Sequence, residues 1–502
     1  MICLNSGIGK EEIKMKAVLF YPRIEDSFRA SYPPLGIMSI ASYLNANGHE
    51  AVICDRFFET DSVKDILKKH SPDAVGISVI SFAFIKDALH ISKEAKSMGI
   101  PVIWGGIIPS TIPLETLGSS YVDYVSFNEG EYTWLEMADA FDEGKPFDGI
   151  DGLGYIREGK FIRTPGREFI DLSTLPGIDW TLVNPENYFQ TSYGYNNMLS
   201  TYLSKGCFGS CTYCYNPEFH CSTRRQRPIE HVINEMRYLV EKHGAGGFDF
   251  TDDLMFINRN SVMEFCKTMA DSGLDTCWSG YLRIGIINDV EDYKIMYNSG
   301  CRCMIYGVES GSERILKSVK KKTPIDKIVS NITNCLKAGI VPIVMFMIGF
   351  LGETEDDLIA TVSLAKQIEG AVVAFGCFTP LPGTEIQHKL VESGKLIPPK
   401  TLEEYSKVTF ADDVTVNATE VSTLELMTIR KFFRLRGIFA KSGNSSDEQF
   451  LKVLANTIKS MSGRGFVHFI RSGFYTAFSL AKTFTIFFHP KIRKKYGLYF
   501  TK

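Results

Sequence analysis

Two tracts of this sequence alternate short apolar runs with stretches of helical period, and no other feature constrains its fold as tightly. Over 15–143, "KAVLFYP" reads as a buried strand and "LGIMSIASYLNANGH" as a helix closed by Gly48. "EAVICD" and "SVKDILKKH" repeat the pair, and "DAVGISVIS", "IPVIWGG" and "YVDYVSF" supply further strands with helices between them. This rhythm predicts a doubly wound, Rossmann-like α/β domain that binds ligands at the carboxyl ends of its strands. Residues 144–193 are richer in Gly, Pro and turn signals ("GKPFDG", "TPGREF", "LPGID") and predict a connector with short hairpins. From 194 to 395 the strand–helix rhythm resumes for six units, which predicts a partial (βα)6 TIM-type barrel with its site at the strands' C-terminal ends. Beyond it, 396–502 reads as a small, mainly helical region.

A chain of 502 residues is too long for one core, so several domains are expected. Its 44% hydrophobic and 23% charged residues are ordinary for a soluble protein, and a net charge of −3 gives no general drive toward nucleic acid. The opening "MICLNSGIGKEEIK" lacks a basic start followed by an apolar run, and no uncharged apolar stretch is long enough to span a bilayer, so a cytoplasmic location is expected. In such a chain, 12 cysteines read as thiols or metal ligands.

Three of them, Cys207, Cys211 and Cys214, stand as C-x3-C-x2-C in "LSKGCFGSCTYCYNP". A closed zinc site wants four ligands, and His220 with Cys221 lies near enough to complete one. The other choice is a [4Fe-4S] cluster with three thiolates and one iron left open to a ligand. With Tyr213 before its third cysteine, the motif resembles the radical S-adenosylmethionine (SAM) superfamily. That resemblance implies a [4Fe-4S] cluster whose unique iron chelates SAM and whose electron cleaves it to a 5′-deoxyadenosyl radical. It makes the three cysteines catalytic as well as metal ligands.

Further landmarks follow at successive predicted strand ends. "FTDD" brings Asp252 and Asp253, either of which the resemblance would set against the SAM ammonium. "GVESGSE" brings Glu309 and Ser310, expected to face SAM, and "MIGFLGETEDD" brings Ile348 and Gly349, expected to pass the adenine. "PLPGTE" is one more family-like landmark. Taken singly, each acidic pair reads as a helix cap or solvated turn. Arg283 reads equally as a pocket lining or a structural ion pair, and Cys301 and Cys303 as core. No cysteine follows Cys377 in this sequence, so no second, C-terminal cluster is expected.

The first tract is similar to the cobalamin-binding domain fused ahead of radical SAM barrels, through "YPPLGIMSIASYLNANGHEAVICD", "GISVIS", "WGGIIPS" and "FNEGE". The resemblance implies that Gly105 and Gly106 let the backbone approach cobalamin's nucleotide tail, with Ser78 or Ser81 offering hydroxyls to it. Cobalamin mutases place a histidine after the first strand. The loop "YPRIEDSFRASYPPLG" has none, so no protein imidazole on cobalt is expected.

Near the C-terminus, Phe466, Phe469, Ile470, Phe474 and Phe478 recur at helical spacing, with His468, Arg471, Ser479 and Lys482 on the other face. Two alternatives stand: a helix packed on the barrel, or one lying on anionic lipid as a peripheral membrane contact. Together the resemblances imply a cobalamin-dependent radical SAM methyltransferase acting on an unactivated carbon. The alternative is an oxidative cyclase or ring-rearranging enzyme of the anaerobic porphyrin-cyclase type. A small-molecule or lipid-like substrate is expected, and a flavodoxin- or ferredoxin-type electron donor.

Overall fold

The run Lys16–Tyr21 (β1) is buried along nearly its whole length, as a parallel strand covered on both faces must be. In the computed structural model, which describes residues 15–24, 32–192, 194–408, 414–440 and 490–496, it is central to the first of two units. That unit comprises residues 1–190 with 226–231 and 399–408, and the second comprises 191–225, 232–398 and 409–502.

In the first unit β1 pairs in parallel with both Glu50–Asp55 (β2) and Ala74–Ser78 (β3). Val102–Gly105 (β4) and Tyr124–Ser126 (β5) continue the parallel sheet. The strand order 2-1-3-4-5 reverses between β1 and β3, the doubly wound arrangement that leaves a crevice at the strands' carboxyl ends. Gly48 ends the first helix, Leu35–Ala46, at φ 86°, a left-handed conformation that a side chain disfavours. The hairpin expected in the connector forms from Leu153–Arg157 (β6) and Lys160–Arg163 (β7). It pairs antiparallel with β5 and so extends the same sheet. Residues 399–408 pack with this unit, where Tyr405 stacks on Phe82 at 5.6 Å.

The second unit holds one curled sheet. Gln190–Ser192 (β8) and Tyr195–Thr201 (β9) form one edge; Ser204–Gly206 (β10) and Arg224–Gln226 (β11) make a separate small ribbon. Gly247–Phe250 (β12), Cys277–Tyr281 (β13), Cys301–Glu309 (β14), Val341–Ile348 (β15) and Val372–Cys377 (β16) then follow in sequence order, all parallel to their neighbours. Six parallel strands, β9 and β12–β16, are thus the partial barrel that the six sequence units predict. Helices Arg259–Asp271, Val290–Asn298, Ile325–Lys337 and Glu355–Gln367 follow the strands. Two of them open on reciprocal caps, Asn258 with Ser261 and Thr354 with Asp357, which satisfy amides that helix starts otherwise leave unbonded.

On the outer side Phe346 stacks on Phe375 (5.1 Å) and Phe375 on Phe433 (4.4 Å), seating helix Thr423–Ala440 against β16. Helix Pro490–Tyr496 is tied to this unit by Lys495, 2.5 Å from Glu355 and 2.7 Å from Glu425. Among the described residues no helix is long and apolar enough to cross a membrane. The aromatic stretch around Phe466–Phe478 lies outside the described residues.

Candidate active site and its two cofactor-sized neighbourhoods

At the carboxyl end of the first sheet the register sets Ser78, Gly105 and Ser126 side by side on β3, β4 and β5. A Cβ on Gly105 would meet nothing nearer than Ser126, at 3.9 Å, so the missing side chain leaves open room there. Gly106 differs. It sits at φ 103°, and a Cβ would press to 3.1 Å from the Val79 carbonyl, so the chain's own packing demands glycine at this turn. Ser81 caps the short 3-10 turn Phe82–Phe84 by accepting the Ala83 N–H. Ser126, which the sequence analysis passed over, is only 2% exposed, and its Oγ has no hydrogen-bond partner among the described residues. An orphan buried hydroxyl costs free energy unless something bonds it. Three large side chains stand exposed on the segments that follow β1, β2 and β3: Tyr32 (54%), Phe58 (40%) and Ile80 (44%). The loop after β1 is anchored at its start, where the Arg23 N–H donates to Asp87 and Asp87 pairs with buried Arg56.

The three cysteines occupy the loop after β10, all partly exposed and none in a disulfide. The Cys207 sulfur accepts the Gly209 N–H, and the Cys214 sulfur accepts that of Asn216. A Cβ at Gly209 would stand 3.3 Å from the Cys207 sulfur and 3.9 Å from that of Cys211, so this glycine keeps a shared cradle clear. Burial pushes the Cys214 thiol up to about 11. It also raises that of Cys211, against the pull of the Lys321 ammonium.

The acids after β12 fasten this loop on both sides. Asp252 is buried and accepts from the Leu203 and Ser204 amides and the Ser204 hydroxyl. Burial pushes its carboxyl up to about 6 despite those bonds. Asp253 accepts from the Gly206 amide (3.2 Å) and the Tyr215 hydroxyl (2.6 Å), and it lies 3.7 Å from His220. At Gly206 (φ 81°) a Cβ would fall 2.4 Å from the Thr223 carbonyl, so only glycine passes. Among the described residues no three His, Cys, Asp or Glu side chains converge on one point, neither the three cysteines with one another nor these with His220 and Cys221.

From β14 and beyond comes a second set of groups. Glu309, at φ 69° beside a register shift, pairs with partly buried Lys321 at 3.1 Å and hydrogen-bonds the Tyr213 hydroxyl. Tyr213 also packs on Phe350, with ring centroids 5.5 Å apart. Ser310 is fully buried and bonded to Thr361 (3.0 Å). The Ile348 side chain is fully buried, and Gly349, at φ 99°, donates its N–H to Glu353 at 2.6 Å. Glu353 is another residue the sequence analysis missed. Its carboxyl is buried, pushed up by that burial to about 8, and its second oxygen has no partner among the described residues. Arg283 donates to the Lys322 carbonyl (3.4 Å). Cys301 and Cys303 are fully buried.

The profile of the B12 binding domain family matches residues 25–138, and that of the radical SAM superfamily matches residues 201–365. An uncharacterized methyltransferase of Pyrococcus horikoshii is 28% identical over 76% of this chain and 84% of its own length. The anaerobic magnesium-protoporphyrin IX monomethyl ester cyclase of Rubrivivax gelatinosus is 24% identical over 90% of this chain and 83% of its own. The radical SAM methyltransferase TsrM from Kitasatospora setae, solved with its tryptophan substrate and a SAM analog, shares the fold with a TM-score of 0.65 at 21% identity, over 76% of each chain. The open row of the first sheet lies within the first matched stretch and the cysteine loop within the second, and the chain is a radical SAM enzyme of the group that carries a B12-binding domain ahead of its barrel.

Proposed function

We propose that this enzyme is a cobalamin-dependent C-methyltransferase that acts on an unactivated carbon of a small molecule, with a [4Fe-4S] cluster at Cys207, Cys211 and Cys214. The observation that carries it is the cysteine loop: three free thiols on one short loop, two of them flanking a cradle kept clear by Gly209. In a cubane cluster each thiolate takes its own iron, so the sulfurs need not converge on one point. Raised thiols suit this chemistry, because a coordinating metal deprotonates them when it binds and they stay protonated without it.

When bound, the cofactors supply the reaction itself: a transferable methyl group and a carbon-centred radical able to remove hydrogen from carbon. The protein's share is binding and orientation. Asp252 and Asp253 hold the loop in shape before metal arrives. Glu309 and Tyr213, joined beside Cys211, offer a carboxylate and a hydroxyl toward a SAM-sized ligand. Ser310 and the Ile348 side chain are buried, so they would support that wall from behind, and buried Gly349, bonded to Glu353, would hold the turn beside it. In the first unit, the Ser78–Gly105–Ser126 row fits a nucleotide tail: Gly105 gives room, and the Ser126 hydroxyl needs a partner. Exposed Tyr32, Phe58 and Ile80 suit the apolar face of a macrocycle. Electrons would come from a flavodoxin- or ferredoxin-type donor.

Methyl transfer is favoured over oxidative cyclisation by the 28% identical methyltransferase relative and by the TsrM fold, while the cyclase relative keeps the second reaction as an outcome of the test. Anaerobic protein given reductant and SAM with a labelled methyl should carry label to cobalamin. With substrate, label should reach the product while 5′-deoxyadenosine and S-adenosylhomocysteine form in equal amounts. Deoxyadenosine without S-adenosylhomocysteine, and product without label, would replace the methyltransferase with the cyclase.

A further inference from the structure

A closed eight-stranded barrel fills its interior with layers of inward side chains. Among the described residues, the six-stranded half-barrel here does so only in part. Along β15, Val344, Phe346 and Ile348 are buried on the outer, helix-covered side, whereas inward Val341 and Met345 are 37% and 42% exposed. Tyr281 on β13 is 37% exposed, and Ile305 and Ile343, its register neighbours on β14 and β15, are partly so. These residues form an apolar inner wall that is partly open to solvent.

One polar pair interrupts that wall. Asp249 on β12 stands opposite Ser279 on β13, and the Ser279 hydroxyl donates to one of its carboxylate oxygens. Phe248 and Phe250, its strand neighbours, are fully buried, with Phe250 packed on Phe265 of the flanking helix, so the alternation turns Asp249 inward. No Lys, Arg or His pairs with Asp249 among the described residues, and its second oxygen accepts no hydrogen bond from them. Burial raises its carboxyl, countered only by the Ser279 bond. A half-buried carboxylate with no cation is costly unless a ligand completes it. It lies two residues, about 7 Å of strand, below Thr251, near the end of the barrel that carries the cysteine loop.

We propose that Asp249 is the specificity-determining anchor of the substrate: it receives a protonated amine on the inner face of the half-barrel, while Ile305, Ile343 and Met345 cover an apolar body. This rests on the enzyme assignment above and adds to it a substrate class, an amphipathic amine. Reach from Asp249 toward the strand ends then sets which carbon meets the reaction centre.

The experiment uses anaerobically reconstituted holoprotein and three probes of one shape: phenethylamine, phenylethanol and phenylpropanoate, each titrated by calorimetry. Wild type should bind the amine roughly tenfold or more tighter than the alcohol, and the acid weakest, as a charged hydrogen bond predicts. Asp249→Asn should bring amine and alcohol within about twofold of each other while the alcohol's affinity holds. Should the amide variant fail to retain iron, Asp249→Ser, which keeps a hydroxyl toward Ser279, gives the same comparison. Equal binding of amine and alcohol by wild type, or an amine preference that survives in the folded variant, overturns the proposal. Failure of wild type to cleave SAM would instead overturn the enzyme assignment and leave this ranking intact.

Discussion

The two sheets finish their strand ends by opposite means. The first does so by omission: Ser78, Gly105 and Ser126 form a row of small residues across three strands, one glycine with no protein atom demanding it and one hydroxyl with no partner. The second does so by fastening: nearly every polar group at its strand ends, from Asp252 to Glu309, is already bonded to another part of the same unit. A site made by omission tolerates loss of its ligand, whereas a fastened one resists change at each tie.

The sharpest break in that contrast comes from the cysteines. Cys207→Ala, Cys211→Ala or Cys214→Ala should each abolish stoichiometric iron uptake and the brown colour, and leave cobalamin binding by the first unit untouched. Iron at wild-type stoichiometry in any of the three would sink the cluster assignment. Next in size, Gly105→Leu should fill the open row and weaken cobalamin on the order of a hundredfold, measured by absorbance titration, with Tm unchanged. Gly106→Ala should do the reverse: its strain at positive φ costs about 1–3 kcal/mol of stability before any ligand is added. If both variants lost stability equally, the row would be protein packing and no tail site.

A middle-sized effect belongs to the ties. Asp253→Asn removes a charged acceptor from Gly206 and Tyr215, a loss of about 1.5–3 kcal/mol in loop fastening. It should shorten the time iron is retained during anaerobic gel filtration while initial uptake persists. Smaller still is a pH effect at Glu353. Its carboxyl is raised from 4.5 to about 8 in the fold, so the protonated form is the native one. The stability it contributes is full below 4.5 and is lost as pH rises through about 8. Glu353→Gln, which still accepts from Gly349, should flatten Tm across that window and raise it by roughly a few degrees at the alkaline end. An unchanged slope would mean that Glu353 ionises without cost. Lys495→Ala, an exposed tie to Glu355 and Glu425, should cost at most about 1 kcal/mol.

What the sequence disclosed follows the range of the forces involved. Strands and helices showed through local period, so β1–β5 lie where "KAVLFYP" through "YVDYVSF" suggest, and the six units over 194–395 correspond to β9 and β12–β16. The cysteine motif is likewise local. Ser126 was invisible because its meaning comes from standing next to Gly105, twenty-one residues away in sequence but adjacent in register. The hairpin 153–163 was foreseen, but its attachment to β5 depends on a pairing that no local pattern encodes. Asp252 and Asp253 announced themselves as acids at a strand end, yet the backbone amides they hold are nearly fifty residues earlier. Asp249 went unnoticed for a similar reason: inside "GGFDF" it reads as one polar residue in a strand, and only curvature of the sheet turns it toward an open interior.

Those ties from β12 bear on how the cysteine loop is held. The amides of Leu203, Ser204 and Gly206 meet carboxylates nearly fifty residues away, on the segment just after β12, which pairs in parallel with β9. The loop is therefore clamped by the barrel's own sheet, and a substitution that loosens the β9–β12 pairing should disturb the cysteines without replacing one of them.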